Sequence, residues 1–230
     1  MKKRKSSPVP PDLKGESHKM TIVYDNEVRK QGLKSGWGFS ALIETEHASP
    51  ILFDTGGDGS VLLYNMRELG IDPRRIGIIV ISHGHGDHTG GLQSLLEVNG
   101  GAEIYIPSSL WRRLPGRKVT AVTGPVQICV GVFSTGELKA IEQSLVVMTN
   151  KGIVVVTGCS HPGVSEILRV ASRFGKISGI IGGLHGFHDF DRLRGLSLIC
   201  PCHCTQYKSE ILRLFPDSYE ECGAGLTLEL

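Results

Sequence analysis

From residue 20 onward the chain alternates short apolar runs with turns, and only a few stretches carry helical spacing. The runs MTIVYD (20–25), FSALIET (39–45) and ILFDT (51–55) predict three consecutive strands in an antiparallel meander. SVLLYNMRELG (60–70) places its apolar residues one helical turn apart and ends on Gly70, which predicts a helix with a glycine stop. IGIIVIS (76–82) is a nearly unbroken β-branched run, the pattern of a strand covered on both faces. GLQSLLEVNGG (91–101) predicts a short helix, and EIYIP, VQICVGVF and SLVVMT make residues 103–149 strand-rich.

The second half repeats one unit. GIVVVTGCS leads to His161 and then to the helical VSEILRVASRFG; ISGIIGG leads to His185; LSLICPC leads to His203 and then to SEILRLF. With IGIIVIS leading to His83, four buried-type strands each run into a histidine. In layered α/β folds, functional groups gather beyond the carboxyl ends of such strands, so these histidines are expected to converge.

The densest chemistry is VISHGHGDHTGG (80–91), with His83, His85, Asp87 and His88 spaced by glycines. In extended backbone, side chains at i and i+2 share a side, so His83 and His85 can grip one ion. Asp87 and His88 follow as the chain turns, and can face a neighbouring ion. A surface loop without metal does not explain three histidines and an aspartate placed directly after a buried strand.

Composition adds bounds. At 230 residues, with 40% hydrophobic and 21% charged residues, one sizeable core is expected. A formal net charge of +2 gives no reason to expect nucleic acid, and no apolar run approaches a membrane span. Residues 1–19 are basic and rich in Pro and Ser, and are expected to form a disordered tail before a single domain at 20–230. Without a secretory signal, the six cysteines are expected to be reduced thiols in the cytoplasm. In ICPCHC (199–204), strand alternation sends neighbouring side chains to opposite faces. A zinc cluster of Cys200, Cys202, His203 and Cys204 is therefore not expected.

His83-Gly84-His85-Gly86-Asp87-His88 resembles the His-x-His-x-Asp-His signature of the metallo-β-lactamase superfamily. LFDTGG, ISHGHGDHTGGL, TGCSHPG, IIGGLH and PCHCT follow an order similar to one branch of it. That branch holds metal-dependent hydrolases and a condensing synthase of methanopterin biosynthesis. The resemblance spans about residues 20–230 and implies a four-layer αββα sandwich, two mixed sheets flanked by helices, with metals at one edge. It implies His83 and His85 on a first metal, Asp87 and His88 on a second, and Asp54 as a buried support. His161 is expected as a further ligand and His203 as the last. His185 competes with His203 for that place, and otherwise becomes a proton donor or substrate contact. Cys159 stands where relatives often carry a bridging aspartate; a small buried residue in a tight turn is its other reading. His188 reads as an exposed loop histidine.

Such a site implies two divalent ions about 3.5–4 Å apart, zinc first, with manganese or iron as alternatives. They would hold a hydroxide oriented by Asp87 and act on a small, phosphorylated substrate. The leading expectation is a hydrolase. A pterin-type condensing synthase using the same metals is the second, and iron-dependent oxygen or sulfur chemistry the third. Arg112, Arg113, Arg117 and Lys118 read as a solvated charge run rather than a phosphate site.

Overall fold

The structure is a computed structural model that describes residues 17–110 and 116–230. Most of the expected tail, and Arg112 and Arg113, lie outside the described residues. Among the described residues, thirteen strands form two sheets.

The first sheet begins with the meander β1 (His18–Tyr24), β2 (Ser40–Thr45) and β3 (Ile51–Phe53), paired antiparallel as expected. It continues in parallel through β4 (Ile78–Val80), β5 (Glu103–Pro107) and β6 (Val119–Val122). β1 starts two residues before Met20, because His18 is fully buried and its Cα pairs with Thr45. The second sheet runs β7 (Val126–Cys129), β8 (Val132–Ser134), β9 (Leu145–Thr149), β10 (Gly152–Thr157), β11 (Ile177–Gly183) and β12 (Leu198–Cys202). Its last two pairings are parallel. VQICVGVF is thus a hairpin, turned at Val130–Gly131 where Gly131 has φ +74°. β13 (Thr227–Glu229) closes the outer edge of the first sheet against β1. Neither β6 nor β13 carries an apolar run long enough to announce it.

Three apolar clusters separate four layers. Met20, Ile22, Phe53, Val80, Val147, Val154 and Val156 fill the space between the sheets. Helices α1 (Gly59–Glu68) and α3 (Leu92–Val98) lie on the outer face of the first sheet over Leu42, Leu52, Ile79 and Ile104. Helices α4 (Val164–Ala171) and α5 (Lys208–Leu214) cover the outer face of the second, over Ile153, Val155, Ile180 and Ile199. Residues 153–156 therefore alternate between two cores, which is why that run has no polar position. The chain is the expected αββα sandwich. α1 starts on Asp58, whose carboxylate accepts the N–H groups of Ser60 and Val61, and stops at Gly70 with φ +72°. No helix among the described residues is long and apolar enough to cross a membrane.

Candidate metal centre

The carboxyl ends of β3, β4, β10, β11 and β12 open on one edge of the sandwich, and each leads into the cluster. β4 runs through Ile81 and Ser82 to His83; the four-residue helix α2 (Gly86–Thr89) then carries Asp87 and His88. The glycines that follow have a steric reason. A Cβ on Gly90 would collide with the carbonyl of Gly57, and one on Gly91 with that of Thr55. The loop can lie against the turn after β3 only without side chains there. Four of the strand tips turn through left-handed residues other than glycine: Asp54 (φ +58°), Ser160 (+61°), His185 (+49°) and His203 (+45°). Each costs roughly 1 kcal/mol or more, so surrounding contacts hold them in place.

Two groups of donors result. The rings of His83, His85 and His161 stand 4.6–4.7 Å apart, centroid to centroid, and His83 Nε2 lies 3.2 Å from His161 Nε2. In the second group, His203 Nε2 is 3.1 Å from Asp87 Oδ2 and His88 Nε2 is 3.1 Å from Cys159 Sγ. The donor atoms of Asp87, His88, Cys159 and His203 all lie within 4.8 Å of one another, and Cys159 lies equally close to His83 and His161. Cys159 thus stands between the groups. Of the two histidines competing for the last position, His203 is buried beside Asp87 and His88. His185 is exposed, its ring 5.0 Å from that of His161. His188 is exposed and bonded to the Gly186 carbonyl, outside the cluster.

These donors fit a divalent metal. The outer nitrogen of three imidazoles is already committed: His88 Nδ1 to Asp54 Oδ2 at 2.7 Å, His83 Nδ1 to Ser82 Oγ at 2.9 Å, and His203 Nδ1 to Asn26 Oδ1 at 2.9 Å. Each Nε2 is left facing the common space, the arrangement that orients metal-bound imidazoles. Two nitrogens on one tetrahedral zinc would be about 3.4 Å apart, close to the His83–His161 spacing. Burial, then the neighbouring histidines, holds His83 far below the usual imidazole range. Burial likewise brings His161 and His203 down to about 4. These imidazoles are neutral at pH 7, the form that donates a lone pair. Burial pulls His88 down too, but the bonded Asp54 carboxylate, with those of Asp87 and Glu142, raises the group overall.

Asp54, fully buried, is the expected support: besides His88 it accepts the Ser82 N–H and Oγ–H, both at 2.7 Å. A second carboxylate was not foreseen. Glu142 Oε1 accepts the N–H groups of Gly158, Cys159 and Ser160 and the Thr157 hydroxyl, while Oε2 accepts the His161 N–H at 2.8 Å. It thereby shapes the loop that presents Cys159 and His161. Its neighbour Gln143 bonds the Ile81 carbonyl at the entrance to the histidine segment, tying the sheets together. A glutamate inside EQS, flanked by ordinary residues, gives no sequence signal of this role. Trp37 was also unforeseen; it is 65% exposed with its ring edge-on to His203 at 4.9 Å. Its only mark in the sequence is a flanking glycine on each side. Of the basic run, Arg117 donates to the carbonyls of Leu96 and Asn99 at the end of α3, and Lys118 pairs with Glu103. Both cations serve the scaffold.

An αββα sandwich with a histidine–aspartate cluster at the edge between its sheets defines a class of metal-site proteins. Residues 38–124 match the family model of the metallo-beta-lactamase superfamily. The chain is 27% identical to the 7,8-dihydropterin-6-methyl-4-(beta-D-ribofuranosyl)-aminobenzene-5'-phosphate synthase of Methanocaldococcus jannaschii, over 82% of this chain and 88% of that one. Among solved structures, Tm1679, a metal-dependent hydrolase of the beta-lactamase superfamily, superposes with a TM-score of 0.75 at 28% identity, covering 93% of this chain and 99% of that one. The metallo-beta-lactamase fold protein YhfI from Bacillus subtilis shares the fold at 14% identity, with a TM-score of 0.68 and coverage of 94% and 100%. The chain thus shares the metallo-β-lactamase fold, and its histidine segment lies within the stretch that the family model matches.

Proposed function

We propose that the protein is a binuclear metal-dependent hydrolase of a small, phosphorylated molecule. The observation that carries this reading is the meeting of two donor groups that share Cys159. His83, His85 and His161 would hold one ion and Asp87, His88 and His203 the other, with Cys159 close to both groups. Imidazole, carboxylate and thiolate together favour zinc, with iron as the alternative. When bound, such ions supply an activated water at neutral pH and positive charge to stabilise developing negative charge.

The chain's own residues do the rest. Asp87, only partly buried, accepts a hydrogen bond from the attacking water and fixes its direction. His185, exposed on the rim beside His161, is the group placed to give a proton to the departing oxygen. Trp37 offers its face to a planar part of the substrate at the opposite rim, beside His203. The test is elemental analysis followed by assay against phosphate esters. Two zinc or iron ions per chain in this centre and hydrolysis are expected. Asp87→Asn should lower turnover about a hundredfold or more while leaving the fold intact. Full activity in that variant removes Asp87 from its role.

A second reading, a pterin-type condensation, is favoured by the named archaeal relative. The aligned stretch, 259 positions, is longer than this entire chain, so the relative carries segments this chain lacks. Incubation with a pterin pyrophosphate and an arylamine separates the two: a joined pterin–amine product means condensation, free hydroxymethylpterin means hydrolysis.

A further inference from the structure

Three thiols meet inside the core between the sheets, away from the histidine centre. Cys200 and Cys202 are two residues apart on β12, so alternation turns both inward. Cys222, from the segment before β13, reaches the same point, and all three are buried. Their sulfurs lie within 4.8 Å of one another, with Cys200 and Cys202 at 3.8 Å. Cys222 Sγ is 3.6 Å from Oδ2 of Asp25, a fully buried carboxylate.

We propose that Cys200, Cys202 and Cys222 supply three thiolates to a structural zinc ion, with the Asp25 carboxylate beside Cys222. A tetrahedral zinc with Zn–S of about 2.3 Å sets its sulfurs about 3.8 Å apart. Cys200 and Cys202 already stand at that spacing. Thiols that merely fill apolar space have no need to converge on a carboxylate. The buried Asp25 carboxylate also accepts the Glu27 N–H at 3.1 Å. No ion pair reaches Asp25 within 4 Å among the described residues, and the nearby Lys208 bonds Glu27 instead. Binding converts the thiols to thiolates and releases their protons to solvent.

The site joins the end of β12 to the C-terminal segment, beside the turn after β1 that carries Asp25. Asp25 Oδ2 also accepts the N–H of His203 at 2.9 Å. By fixing Cys222 beside that carboxylate, the metal would brace His203, itself a left-handed residue.

The test uses the full chain carrying Cys159→Ser and Cys204→Ser, which removes the two thiols near the histidine centre. Zinc X-ray absorption is expected to show a sulfur shell at about 2.3 Å, which Cys222→Ala abolishes in the same background. Zinc surrounded only by nitrogen and oxygen before that third substitution overturns the proposal. So does a mass two hydrogens low, from a disulfide among the three thiols. The first spectrum decides the matter even where the Cys222→Ala chain does not fold.

Discussion

The two donor groups of the candidate centre are built to different standards. Around the second, His88 and Asp54 are wholly buried and directly bonded, and His203 is pinned by Asn26 through its ring and by Asp25 through its backbone. Around the first, only His83 is buried; His85 is exposed and His161 half-buried, its position set through backbone bonds to Glu142. A donor locked by packing and hydrogen bonds loses little freedom when an ion arrives, whereas an exposed one must be ordered by the ion itself. The deep half is thus part of the fold, and the open half is the one that faces solvent.

The largest effect should come from breaking the deep half. His88→Ala removes the partner of a buried carboxylate and should destabilise the protein by about 3–5 kcal/mol, read by chemical denaturation. A loss below 1 kcal/mol would mean that the deep half is no more integral than the open one. Glu142→Gln comes next. It replaces an acceptor of four backbone N–H groups with an amide whose own N–H groups face them, at a cost of about 2–4 kcal/mol. It should also weaken metal at the first position selectively, which titration with a chelator would resolve as an early-released equivalent.

His85→Ala sharpens the contrast from the other side. It should change stability by no more than about 0.5 kcal/mol, because the ring is exposed, yet lower metal content by one equivalent per chain. Unchanged metal stoichiometry would contradict its place in the first group. The smallest effect is expected at Trp37. Trp37→Ala should leave metals and stability alone and raise KM about 3–10-fold, the worth of one aromatic contact.

The same division explains what could be read in the chain. His83, His85, Asp87 and His88 fall within one loop and short helix, so local spacing alone announced them. The four strand-to-histidine units announced a convergence, because side chains beyond parallel strand ends have one edge to share. Cys159 was visible but ambiguous. A buried thiol in a turn and a shared metal ligand have the same local sequence; the structure adds that Cys159 Sγ stands 3.1 Å from His88 Nε2. Glu142 was invisible, since its role depends on four N–H groups 16–19 residues further along the chain.

Local pattern determined most of the strands and the candidate donors at 83–88, because hydrophobic period and ligand spacing act within a few residues; the four layers were expected from the resemblance. That His203, rather than His185, is buried beside Asp87 rested on which strand tip faced it. The bracing by Asp54, Asn26 and Glu142 rested on contacts across both sheets, as did the meeting of Cys222 with β12. Those distances exist only once the two sheets have closed on their shared core, which is why tertiary structure alone could decide them.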